Sequence, residues 1–122
     1  MWEILFWVYV VNAVFLINHE VDSAYWKEWN LIGLPGGITF FLLLHFPLFF
    51  LVIYGVVLLD RGASSGLIFS LALGLVGIIA FSIHTYFIKK GRDEFKTPIS
   101  QFILISTLII SIAQIGMTLY LM

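Results

Sequence analysis

The chain has 122 residues, 61% of them hydrophobic and 11% charged, with a formal net charge of −1. With a mean hydropathy of +1.08, this composition belongs to integral membrane proteins and excludes a basic nucleic-acid module or a charged tail. There is no cysteine, which excludes disulfides, thiolate metal ligands and thiol redox chemistry.

A bilayer span needs about 20 mostly apolar residues. Four segments qualify, at about 2–26, 38–59, 66–87 and 98–122. The first opens Met1-Trp2-Glu3, without a basic leader or a small-residue cleavage site, and is expected to be a retained helix. Gly33-Leu34-Pro35-Gly36-Gly37 separates it from the second span, and Asp60-Arg61-Gly62-Ala63-Ser64-Ser65 separates the second from the third. Thr97 and Pro98 give the fourth a strong start, as N-cap and first helical residue. The expected fold is all-α, a four-transmembrane-helix bundle forming a single integral membrane domain over 1–122.

Basic residues set the expected orientation. The link between spans one and two carries Lys27, and the link between spans three and four carries Lys89, Lys90, Arg92 and Lys96. The opposite side has only Arg61. By the positive-inside rule both termini lie on the non-cytoplasmic side. This orientation places His19, His45 and His84 in the cytoplasmic half, within about 10 Å of one another in depth.

Helical periodicity then predicts which groups meet. In the first span Asn12 and His19 share a face, and Asp22 lies one turn beyond His19. Glu20 sits about 100° around from His19, where Lys27 is an equally good partner. The third span carries a stripe of Gly66, Ser70, Gly74, Gly77, Phe81 and His84, whose small residues favour close helix approach. The fourth carries a polar stripe of Ser100, Thr107, Ser111, Gln114 and Thr118, with Gln101 beside its start. Polar groups in hydrocarbon need partners within the protein, so Asn12 and Gln114 are expected to bond directly or through water. In the second span His45 stands alone among apolar neighbours, with a kink expected at Pro47.

Ionisable groups at membrane depth mark a functional site by default. Three imidazoles and a carboxylate, from His19, His45, His84 and Asp22, suit a divalent metal such as zinc or non-haem iron. Glu20, or Glu28 in the first link, would then serve as catalytic base, giving a metal-dependent enzyme that acts on a lipid or other amphiphile. A haem held by His45 and His84 is a weaker alternative. A second class is a small homo-oligomeric transporter, channel or ligand-binding protein using the polar seam of Asn12, Ser100, Gln101, Thr107, Ser111 and Gln114. A third is a structural accessory subunit, with the histidines as a packing network. The expected surroundings are the lipid bilayer, with no nucleic-acid partner.

The run from Asn18 to Trp29, Asn-His-Glu-Val-Asp-Ser-Ala-Tyr-Trp-Lys-Glu-Trp, resembles a family of small four-helix bacterial membrane proteins of unknown function. The resemblance continues through Leu34-Pro35-Gly36-Gly37, Leu44-His45-Phe46-Pro47, His84 to Gly91 and Phe95 to Ser100. It implies a bacterial inner-membrane protein with a motif on His19, Glu20 and Asp22. The motif is also loosely similar to that of the larger HxxEE membrane proteins, whose paired glutamates this chain lacks.

Overall fold

The computed structural model describes residues 1–122 and is all helical. It contains α1 (Trp2–Tyr25), α2 (Glu28–Leu31), α3 (Gly37–Asp60), α4 (Ser65–Lys89) and α5 (Pro98–Leu121). The four long helices have 24, 24, 25 and 24 residues and are apolar enough to cross a membrane. At 1.5 Å per residue each is about 36 Å long, against a hydrocarbon layer of about 30 Å. Their bounds fall within a few residues of the expected spans. The four-residue α2 was not expected.

Local chemistry explains the boundaries. Thr97 caps α5, its Oγ1 accepting from the Ser100 N–H at 3.3 Å, and Pro98 follows. Gly36 and Gly37 take positive φ values of 91° and 58°, which turns the chain into α3 at low strain. α3 runs continuously through Pro47, which therefore does not end the helix. One missing backbone donor is a smaller loss than ending a helix in lipid.

Around the bundle the order is α1, α3, α4, α5, with α4–α5 and α5–α1 the most extensive contacts. The α4–α5 contact depends on glycine. A Cβ at Gly77 would run into the side chains of Ser111 and Thr107, and one at Gly74 into Ile115. At the end holding the termini, Leu5, Tyr9, Leu16, Leu59 and Leu67 form the main apolar core. There the Trp2 indole donates to the Leu59 carbonyl at 2.8 Å, and the Tyr9 hydroxyl donates to the Val52 carbonyl at 2.8 Å.

A polar network stitches α1, α4 and α5 together. Asn12 Nδ2 donates to Gln114 Oε1 at 3.0 Å and to Ser111 Oγ at 3.1 Å. Gln114 Nε2 donates to the Ser70 carbonyl at 2.7 Å. The Thr118 hydroxyl donates to the Gln114 carbonyl at 2.7 Å, so Ser70 Oγ must be the donor to Thr118 Oγ1 at 2.8 Å. All these side chains are at most 1% exposed. The seam thus joins three helices through buried side chains, with Asn12 Oδ1 and Thr107 Oγ1 left without a protein partner. Of the other seam residues, Ser100 and Gln101 serve the start of α5, and Thr107 packs under Gly77.

Candidate functional site

The three histidines and the buried glutamates Glu20 and Glu28 gather at the opposite end, where the links α1–α3 and α4–α5 lie. His19 is buried near the end of α1, and α1 stops at Tyr25. Lys27 then adopts the left-handed conformation, φ 54° and ψ 56°. A non-glycine residue there costs about 1–2 kcal/mol, and its effect is to reverse the chain. Glu28, first residue of α2, is thereby carried back over the bundle towards His84 of α4.

His19 Nε2 and His84 Nε2 face each other at 3.1 Å, each residue 2% exposed. Glu28 Oε2 lies 3.8 Å from His84 Nε2. One ligand atom from each of these residues lies within 4.8 Å of the other two. Metal–nitrogen bonds of about 2.0–2.1 Å at a tetrahedral angle place two ligand nitrogens about 3.3 Å apart. The histidine pair is already near that spacing, and three protein donors leave a fourth position open, as catalytic zinc sites do.

The pair also has a metal-free solution. One ring donates through Nε2 and the other accepts, which makes them opposite tautomers. Both Nδ1 atoms are buried without a protein partner, as is Glu28 Oε2. Metal ligation would require both Nδ1 atoms to carry protons. The rings would then be oriented by packing or water, in place of the carboxylate or carbonyl that usually orients ligand histidines. Burial pushes the Glu28 carboxyl above its ordinary value of 4.5, against the smaller opposing effect of the Ser23 hydroxyl.

Glu20 and His45 form a second unit. Glu20 Oε2 is 2.5 Å from His45 Nε2, and His45 Nδ1 is 2.6 Å from the Phe41 carbonyl. A carbonyl only accepts, so Nδ1 carries a proton and donates. The Glu20–His45 contact must then share another proton, as an ion pair or as acid and neutral imidazole. Glu20 Oε1 is 4.0 Å from His19 Nε2, which joins this unit to the histidine pair. The order across four elements is Glu28, His84, His19, Glu20, His45.

Phe95 roofs the histidines. It is fully buried, stacks on His84 with ring centroids 4.1 Å apart, and lies 5.7 Å from His19. Its φ of 69° is left-handed, held in part by Gln101 Nε2, which donates to the Phe95 carbonyl at 2.7 Å. Outside this roof a cleft of about 520 Å³ opens between Trp26, Lys27 and the Arg92–Glu94 stretch. Arg92 Nη2 donates to Glu94 Oε1 at 2.6 Å, and this guanidinium holds the Glu94 carboxyl below its ordinary value.

The expected four-ligand set thus divides. His19 and His84 converge. His45 does not join them, because both of its ring nitrogens are engaged by Glu20 and Phe41. The same engagement removes it as a haem ligand. Asp22 Oδ1 accepts from the Trp26 indole, one turn on, at 3.0 Å, and Asp22 lies outside the three-donor group. Its place is taken by Glu28, which sequence reasoning weighed only as a base, since the left-handed Lys27 turn leaves no signal in periodicity. Glu20 partners His45 and not Lys27. Phe95 was missed altogether, because loop residues carry no helical pattern.

No curated protein and no solved structure matches the chain. Residues 5–121 match a family of unknown function, DUF6713, and the chain belongs to that family.

Proposed function

We propose that this membrane protein binds one divalent transition metal, zinc or iron(II), at His19, His84 and Glu28, and acts as a hydrolase on a lipid or other amphiphile. The observation that carries the reading is the 3.1 Å approach of two buried imidazole Nε2 atoms from different helices, with a buried carboxylate oxygen beside them. A bound cation there supplies Lewis acidity, polarising a substrate oxygen and acidifying water. Glu20 is the base in this reading. It lies next to His19, and His45 takes up or returns the proton across their short contact. The excess of Lys27, Lys89, Lys90, Arg92 and Lys96 over Arg61 supports a cytoplasmic position for this end. The resemblance to small bacterial membrane proteins supports a bacterial inner-membrane location.

Metal analysis of the purified protein after loading and desalting tests the site. About one metal per chain is expected in the wild type and in Asp22→Asn and His45→Ala, with a large loss in His19→Ala and His84→Ala. Metal near zero in the wild type sinks the proposal, as does a content indifferent to His19 and His84.

A second reading, a proton-coupled transporter or relay, is favoured by the continuous order of titratable groups from Glu28 to His45. It predicts proton flux in reconstituted vesicles that Glu20→Gln abolishes without any metal present.

A further inference from the structure

The outward face of α1 carries one polar group where lipid offers no partner. Ile4, Trp7, Val11, Val14, Val21 and Tyr25 are all exposed, and Asn18 is exposed among them. Their spacing alternates three and four, which any outward helical face shows. The informative residue is Asn18. It sits seven residues inside the end of α1 at Tyr25, about 10 Å along the axis. Its side chain is too short to reach the interface from there, and acyl chains neither donate nor accept hydrogen bonds.

Beside Asn18 a groove of about 520 Å³ runs between α1 and α5, walled by Val14, Phe15, Val21 and Phe102. Asp22 also lines this groove, but its partnerless Oδ2 is buried away from the face. The open hydrogen-bonding capacity of this otherwise apolar face is therefore that of Asn18.

We infer that this face of α1 is the interface of a homodimer, in which Asn18 bonds to Asn18 of a second copy. Two copies inserted with the same topology are related by a twofold axis along the membrane normal. Each residue near that axis meets itself at its own depth. A carboxamide donates and accepts, so it is complementary to itself, whereas a different partner would need its own polar group at that depth. The stripe bears no charge to repel its copy. A single Asn among Val residues at this spacing is the arrangement that fixes register in parallel helix pairs. His19 and Glu20 face the bundle interior, so the interface leaves the metal site free.

The cysteine-free chain makes the test direct. Single cysteines are placed at Val14 and Val21 in the seam, and at Ile53 and Ile79 on exposed faces of α3 and α4. After mild oxidation in native membranes, V14C and V21C are expected to give disulfide dimers, and I53C and I79C are not. Dilution in lipid vesicles supplies the second measurement. Asn18→Leu is expected to weaken self-association about threefold to thirtyfold, the range for one interhelical hydrogen bond, and Asn18→Gln to retain most of it. Seam cysteines that cross-link no better than the controls overturn the inference, as does an Asn18→Leu protein that associates like the wild type.

Discussion

Glu20 Oε2 on α1 meets His45 Nε2 on α3 at 2.5 Å, while its chain neighbour His19 faces His84 on α4. Consecutive residues of one helix thus serve two different helix contacts. The first prediction follows. Glu20→Gln removes the charge-assisted bond and is expected to lower stability by about 1.5–3 kcal/mol, leaving metal content unchanged. Thermal unfolding in detergent alongside metal analysis checks both parts, and a loss of metal would place Glu20 among the ligands.

Glu28 predicts a pH dependence. Its carboxyl titrates above the ordinary 4.5 because burial disfavours the charged form. The folded value exceeds the unfolded one. In the metal-free protein its contribution to stability is therefore complete below the unfolded value and is lost as pH rises through the folded one. Metal binding has the opposite sign, since only the carboxylate ligates, and affinity should rise with pH over the same interval. Glu28→Gln should flatten the metal-free stability profile there. A metal titration repeated at several mildly acidic pH values, paired with unfolding curves, reads both slopes.

Phe95 separates packing from backbone strain. Phe95→Ala is expected to cost about 3–5 kcal/mol as the buried ring is lost. Phe95→Gly also loses the ring, but glycine accepts a φ of 69° without strain. The glycine variant should therefore match or exceed the alanine one in stability, against the usual order. Both should release metal to a chelator faster than the wild type, because the roof over His84 is gone.

The seam predicts effects on stability alone. Gln114→Ala removes the bonds from Asn12 Nδ2 to Gln114 and from Gln114 Nε2 to the Ser70 carbonyl, leaving Asn12 only Ser111, at about 1–3 kcal/mol. Gly77→Ala drives a methyl into Ser111 and Thr107, with overpacking of about 1–3 kcal/mol. Metal content should stay at the wild-type level in both variants. A shift in metal stoichiometry would show that the two ends of the bundle are coupled.

The sequence was most legible where periodicity is strong. Four apolar stretches with Gly, Pro and Thr-Pro boundaries gave the spans, and the helical spacing of Asn12 and Gln114 anticipated their bond. It also aligned His84 with the glycine face of α4, which points inward. It was least legible where tertiary structure overrides helical geometry. Asp22 is close to His19 by turn counting, yet the Trp26 indole captures it. Glu28 lies beyond the end of α1 and reaches the site only because Lys27 adopts a left-handed conformation. His45 shares a depth with the other histidines, but depth does not say which neighbour a ring will bond.

The Asn12–Gln114 network and the His19–His84 pair occupy successive levels of the bundle, about two helical turns apart, and this has an evolutionary consequence. The half of the bundle that locks the helices together contains none of the candidate reactive groups. Exchange of His19, His84 or Glu28 therefore leaves the interhelical clasp intact, whereas the buried Phe95 roof contributes to the fold itself. Relatives that diverge in chemistry should keep the asparagine–glutamine clasp and vary around the histidines.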